Sequence, residues 1–398
     1  MIDQSPLPSR QLQLLARFAR LSLSLVLVFW LLVATVWATL HGFIVPRIDM
    51  WRVEVERVAT QALGAQVRIE SVQGETDGLF PTIRLRNLSV LDEEGRVALQ
   101  LPTVIATISA RSVLRRGLEQ LYIEAPVLDI RHLADGRWLI AGLEAVHSND
   151  AESPAISWLL QQPELVIRQG HIRLTDEQRS HSTVQLHDVD LVMRNRHWSH
   201  VLRLEASPEK GDGERIQLVG AFRTPLLPSK AAPWKIWSGQ WYASLYLHRM
   251  PQLPFASSWK VAAVEGNGQV RMWLDFQRGQ PVGITADVAL THVRIRWHDT
   301  AQADFDVRQL RGRLSAHRND ETWKLQGQSF SFEHGDGNIW PHSNWTLQTH
   351  VIASKINSIK AKLDYADIGM IAKVIAGLPV SSGVKTPLSR WLPQGQVQ

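Results

Sequence analysis

The sequence predicts a mainly β protein: an N-terminal transmembrane helix, then an extended antiparallel β-sheet, with short capping helices. Three observations carry that expectation. Leu21 to Leu40 contains no Asp, Glu, Lys or Arg. From Val67 onward apolar and polar residues alternate with period two, to about residue 363. Turn dipeptides punctuate the alternating runs: Glu94-Gly95, Asp135-Gly136, Gln169-Gly170, Asp212-Gly213, Arg278-Gly279, Asn319-Asp320 and Asp336-Gly337.

The apolar run comes first. Twenty helical residues span about 30 Å, the thickness of a bilayer core. Leu21 and Leu40 bound the run, and Trp30 and Trp37 lie within it, Trp37 toward the far interface. Arg10, Arg17 and Arg20 precede it with only Asp3 opposing them, so the positive-inside rule places residues 1–20 in the cytoplasm. Residues 21–45 form the anchor, and the bulk of the chain lies on the other side. A cleaved signal peptide is the rival reading, since Ala34 and Ala38 are small residues near the end of the run.

Residues 46–64 read as one amphipathic helix, with Trp51, Val55, Val58, Ala59 and Ala62 on one face and Gly64 as its stop. Residues 65–363 then alternate as strands. Val67 and Ile69 alternate with Arg68 and Glu70; Ile83 and Leu85 with Arg84 and Arg86; Leu128 and Ile130 with Asp129 and Arg131; Ile172 and Leu174 with His171 and Arg173. At one strand per 8–12 residues there is room for roughly 22 to 26 strands. Open sheets rarely exceed about ten strands without curling or splitting, so the strands divide into sandwiches or curl into a trough. No long helical pattern intervenes, which excludes parallel βαβ units. Residues 364–398 read as a short helix from Tyr365, a helical turn from Leu388 to Leu392 carrying Trp391, and the opening of a further strand. The sequence is therefore expected to be a piece of a longer chain.

The composition excludes several chemistries. There are no cysteines among 398 residues, so disulfide frameworks, thiolate zinc sites, iron–sulfur clusters and a Cys nucleophile are out. A net charge of +5 is weak evidence for a polyanionic partner, and 44% hydrophobic residues are too many for a disordered chain. No phosphate loop, dinucleotide fingerprint, His-Glu-x-x-His or Gly-x-Ser-x-Gly occurs. His181, His197 and His200 cluster in sequence but read as polar loop, not as metal ligands. Asp304 and Asp306 share a strand face, where a solvated pair is the plain reading and acid–base work the sharper one. Trp234, Trp237 and Trp241 read as core filling or as an exposed stacking cluster. No catalytic residue, cofactor, metal or nucleic-acid partner is expected.

Several segments bear a family resemblance. Val67-Arg-Ile-Glu-Ser-Val72 with Pro81-Thr-Ile-Arg-Leu-Arg-Asn-Leu-Ser-Val-Leu-Asp92 resembles the opening repeat of the AsmA-like family. Ala125-Pro126 through Ile130, followed by Asp135-Gly136-Arg137-Trp138, resembles its proline–strand hairpin, and Val166 to Asp176 the next one. The resemblance implies a bacterial inner-membrane protein, single-pass, with its bulk in the periplasm. It implies that the long sheet is curled into an apolar groove similar to bridge-like lipid transfer proteins, serving phospholipid transport toward the outer membrane and the outer-membrane barrier. The expected partners are phospholipid, the inner membrane and outer-membrane or other envelope proteins. The expected lining is Val67, Ile69, Ile83, Leu85, Leu128, Ile130, Ile172 and Leu174; on the residues alone, the same set fits a closed sandwich core. The alternative function is a membrane-tethered envelope assembly scaffold.

Overall fold

The computed structural model describes residues 10–39, 42, 49–63, 65–75, 81–92, 94–109, 112, 117–141, 143–145, 158–177, 182–196, 198–208, 214–225, 236–248, 261–297, 304–319, 322–352, 355–371 and 396–397. Helix α1 (Arg10–Thr39) contains the apolar run. Its segment Arg17–Thr39 has a mean hydropathy of 2.3 and, among the described residues, nothing packed against it; it is long and apolar enough to cross a bilayer. Its hydroxyls are turned inward: Thr35 Oγ1 donates to Leu31 O and Thr39 Oγ1 to Thr35 O, each at 2.8 Å, so the helix shows only carbon outward there. Leu21, Trp30 and Trp37 are exposed as an anchor requires; Leu40 lies outside the described residues.

Helix α2 (Arg52–Leu63) follows a single 3₁₀ turn. Val55 and Ala59, one turn apart, pack on the buried cluster of Val67, Ile69, Val72 and Val90. Trp51 does not join them; it stays 61% exposed because it sits in the 3₁₀ turn, before the helical spacing begins.

The sheet has nineteen strands. They are β1 (Val67–Arg68), β2 (Ser71–Glu75), β3 (Thr82–Leu91), β4 (Val97–Thr107), β5 (Gln120–Glu124), β6 (Val127–His132), β7 (Trp138–Ile140), β8 (Leu143–Ala145), β9 (Glu164–Asp176), β10 (Ser182–Arg196), β11 (Ser199–Pro208), β12 (Ile216–Arg223), β13 (Ser238–His248), β14 (Val261–Gln277), β15 (Gln280–Trp297), β16 (Phe305–Asn319), β17 (Thr322–His334), β18 (Ile339–Ile352) and β19 (Lys355–Leu363). From β9 to β19 each strand pairs antiparallel with the next. Beyond them, β20 (Ala366–Asp367) pairs with β21 (Gln396–Val397). Residues 388–392, expected as a helical turn, lie outside the described residues.

The sequence expectation is corrected at three points. The sheet is mixed: β5 and β6 run parallel to β9, in registers Leu121↔Leu165 and Leu128↔Ile172. The hairpin of β7 and β8 and the connection after it return the chain so that β9 enters in the same direction. The strands are also fewer and longer than their turn spacing predicts, up to 18 residues in β15. And Gln169-Gly170 is no turn; β9 runs straight through it.

The last two corrections share one cause. Asn87, Ala125, Gln169, Asp188, His292 and Ser329 have φ between 47 and 54°, inside or between strands rather than at hairpin tips. At each the alternation slips by one residue. In β9 the inward set is Leu165 and Ile167, then Gly170, Ile172 and Leu174. In β10 it is Met193, Leu191 and Val189, then Leu186 and Val184. At Gln169, Asp188, His292 and Ser329 the register also shifts against a neighbouring strand, so these are β-bulges, which bend a strand and sharpen its twist. Their freed amides find side-chain acceptors: Gln169 N donates to Asp190 Oδ1 at 3.1 Å and Ser329 N to Asn344 Oδ1 at 3.0 Å. The slips fall in two groups, on β3 to β10 and on β15 and β17, and each group creases the sheet, with a wall on either side.

Left-handed φ at a non-glycine residue costs about 1–2 kcal/mol. Gln169→Gly is therefore expected to be neutral or stabilising by up to about 1 kcal/mol. Deleting Gln169 turns Ile172 and Leu174 to the outer face and is expected to cost several-fold more. Thermal unfolding of the two variants checks this.

Candidate functional site: the apolar face of the sheet

The strand register stacks side chains into transverse rows. One row runs Ile83, Ala106, Leu121, Leu165, Met193, Leu202, Gly220, Trp241, Leu274, Ile284, Ala316, Leu325, Leu347, Ala361, each directly opposite the next. The row beside it runs Leu85, Val104, Ile123, Ile167, Leu191, Leu204, Leu218, Ala243, Met272, Ala286, Leu314, Gly327, Trp345, Leu363. Fourteen strands contribute to each, and no polar side chain interrupts either. At about 4.8 Å per strand the rows extend about 60 Å, some four times the half-thickness of a bilayer core of about 30 Å.

This face is the inside of the bend. All three buried clusters lie on it, and two of them join residues from both sides of a crease: Leu85 with Leu88 and Leu99 across Asn87, and Leu290 with Val293 across His292. Across the first crease the lining continues as Val90, Leu99, Leu128, Ile172 and Leu186. Among the described residues, the two ends of the groove are covered and the middle is not. Near β1 the cover is α2, with Leu159 and Leu160 above β5 and β9. Near β18 it is Tyr365, Met370 and Ile371. Between them, Leu204, Leu218, Trp241, Met272, Leu274, Ile284 and Leu314 are half-buried and join no buried cluster among the described residues.

The opposite face is polar where the rows are open. Arg313 bridges to Asp287 through two hydrogen bonds at 2.6 and 2.8 Å, and Arg215 reaches Asp190 at 2.9 Å. The Arg313 guanidinium, donating to the Asp287 carboxylate, holds that carboxyl below its ordinary range. Asp306, a sequence candidate for acid–base work, lies 3.6 Å from Arg294 as an exposed ion pair. Among the described residues no group of three His, Asp or Glu side chains can hold a metal. A cavity of about 1230 Å³ opens at the strand ends around Arg223, Asp275, His317 and Lys324. It is polar and offers no continuous apolar seat.

The first edge of the sheet is closed by side chains rather than by a strand. Thr60 Oγ1 accepts from Val67 N at 3.0 Å, Glu56 Oε1 from Ile69 N at 2.7 Å, and Asp49 Oδ1 from Val72 N at 3.2 Å. Arg52 donates to the carbonyls of Ile69 and Glu70 at 3.1 and 3.2 Å. One stripe of α2 thus caps the edge while the adjacent stripe, Val55 and Ala59, covers the lining. An edge so capped cannot pair with another strand.

Of the expected lining, Val67 and Ile69 are buried beneath α2, and Ile83 and Leu85 pack against the same cluster. Leu128, Ile130, Ile172 and Leu174 are half-buried beyond the first crease. The sequence reading missed the open stretch from β11 to β16, although its alternation was visible in Met272, Leu274 and Phe276. Of the tryptophan cluster, Trp237 stacks on His200 at 4.1 Å and lies 5.7 Å from Phe222, while Trp241 belongs to the lining; Trp234 lies outside the described residues.

An N-terminal helix of membrane-spanning length, an edge-capped sheet and an uninterrupted apolar inner face define a β-trough that follows an apolar helix. The family model described as YhdP protein matches residues 1–398. The chain belongs to the YhdP family, an AsmA-like family of envelope proteins. No curated protein and no solved structure matches it.

Two outcomes follow. Glu56→Ala strands the part-buried Ile69 N–H and is expected to cost about 1–3 kcal/mol in thermal unfolding. Burial pushes the His200 imidazole below the ordinary histidine range. As pH falls through about 6.5 the unfolded chain takes up that proton before the folded one, so stability drops. The drop in melting temperature between pH 7.5 and 5.5 is expected to be smaller in His200→Gln.

Proposed function

We propose that this chain carries phospholipid along its inner face between the inner and outer membranes, and so supports the outer-membrane barrier. The anchor sits in the inner membrane with the N-terminus cytoplasmic and the sheet in the periplasm. The observation that supports the reading is the pair of unbroken apolar rows, half-exposed over the middle strands. An acyl chain loses about 0.8 kcal/mol for each CH₂ it exposes to water, on the order of 12 kcal/mol for a tail of about sixteen carbons. Rows of Leu, Ile, Met and Ala offset that penalty at every step, while the headgroup stays wet at the open side. Such transport asks for surface and continuity, not for a catalytic group, cofactor or metal.

The competing reading is an assembly scaffold. It draws on β19, whose outer edge pairs with no strand among the described residues and is available for strand addition. Photo-crosslinking in cells separates the two. Photoreactive residues at Leu274, Ala286 and Leu314 are expected to give phospholipid adducts, and those at Asp275, Asp287 and Ser315 none. Protein adducts alone at both sets refute the conduit and leave the scaffold.

A further inference from the structure

Each transverse row contains one glycine, and in each row the residue directly opposite it on the next strand is tryptophan: Gly220 faces Trp241, and Gly327 faces Trp345. No other tryptophan occurs in either row. A Cβ placed on Gly220 would lie 2.7 Å from Trp241 Cζ3 and 2.8 Å from its Cε3, and 2.7 Å from Cε2 of Phe222, the ring that holds the indole edge-on. One placed on Gly327 would lie 2.3 Å from both Cε2 and Nε1 of Trp345. The indoles therefore lie flat on their glycines. Neighbouring rings hold them there, Phe222 at 5.1 Å from Trp241 and Phe330 at 6.0 Å from Trp345, both edge-on.

Neither glycine is needed for its backbone. Both have φ in the range open to any residue, unlike Gly268 and Gly312 in the same sheet. A glycine inside a strand sacrifices packing and ordering entropy, so one kept at an ordinary φ marks a close approach. Here what approaches is the largest side chain available. Stood upright, an indole would fill the groove that the row otherwise leaves clear.

We infer that the Gly220–Trp241 and Gly327–Trp345 pairs set the clearance of the groove: each glycine is a positioning residue that lets a tryptophan line the floor without obstructing an acyl chain. The inference rests on the conduit reading and specifies how its bore is fixed. A side chain at either glycine lifts the indole into the path and divides the groove at that strand.

The test uses the chain in cells, with photo-crosslinking residues at Leu204 on one side of β12 and Ile284 on the other. In the unaltered chain both give phospholipid adducts. Gly220→Val is expected to lower adducts on one side of β12 by about tenfold, the scale of an overpacking penalty, while the other side keeps its adducts. The double variant Gly220→Val with Trp241→Ala, which removes the displaced ring and lets Phe222 turn into the space it leaves, is expected to restore both. A loss of folding lowers both sides together and is not rescued this way; in that event Gly327→Val, read between Leu314 and Leu363, carries the test. An unchanged ratio in a folded Gly220→Val chain, or a divided ratio that persists in the double variant, overturns the clearance role. Absence of lipid adducts in the unaltered chain refutes the conduit itself, a separate failure.

Discussion

A sheet that bends sharply across its strands while keeping one face apolar must solve a phase problem. Side chains alternate with period two, so a strand cannot turn a corner at a bulge without moving every later residue to the other face, unless the sequence also slips by one. In this chain it does slip, at Asn87, Ala125, Gln169, Asp188, His292 and Ser329. The rest of the architecture depends on that coincidence. Because the slips gather on β3 to β10 and again on β15 and β17, the bends add into a crease toward each end of the sheet, while β11 to β13 between them carry no left-handed residue. Because each is matched by a shift in the apolar pattern, both walls present carbon inward. The strain of six left-handed residues is offset in part by local hydrogen bonds, such as Asp190 to the Gln169 amide and Asn344 to that of Ser329.

Stability and openness then occupy different parts of the sheet. Burial contributes about 25 cal/mol per Å² of apolar surface removed from water, and the fully buried side chains concentrate at the two covered ends. Val67, Ile69, Val72 and Val90 sit under α2, and Val293, Val307, Phe332 and Trp340 under residues 365–371. The middle strands forgo part of that term, since their lining is only half covered. They are held instead by uninterrupted ladders, such as β13 with β14, and by outer-face pairs such as Arg313 with Asp287 that fix register at the surface. The groove stays open where the sheet is longest because the ends supply the cores.

Much of this was legible in the sequence. The anchor, the amphipathic helix and the period-two alternation follow from residue pattern alone, and the hairpins at Glu94-Gly95, Asp135-Gly136, Arg278-Gly279 and Asp336-Gly337 from turn chemistry. Gln169-Gly170 was misread because an X-Gly pair with positive φ at its first residue serves a hairpin and a bulge equally; only the apolar pattern on both sides, Ile167 then Gly170 and Ile172, tells them apart. The parallel pairing of β9 was not legible, since it depends on how a connection returns to the sheet and not on any residue within the strands. The rows themselves were out of reach for a related reason. Each needs thirteen registers to be correct at once, and one unrecognised bulge displaces every residue beyond it.

The uniformity of the rows bears on what such a face can do. A binding pocket holds its ligand by contrast, with apolar walls and a few polar groups that fix orientation. Contrast creates a minimum, and a minimum slows departure. Along these two rows there is no contrast: Leu, Ile, Val, Met and Ala follow one another, and the only breaks in size are the two glycines, each filled by the flat ring of the tryptophan opposite. A tail moving by one strand spacing exchanges one methyl-lined site for another of nearly equal energy, so the barrier to the next step stays low even when the total gain over water is large. Tight overall association and free movement are compatible only on a surface of this kind. It is also why the functional side chains escape any search for motifs: they carry no chemistry individually, and their property exists only as a sequence of neighbours across fourteen strands.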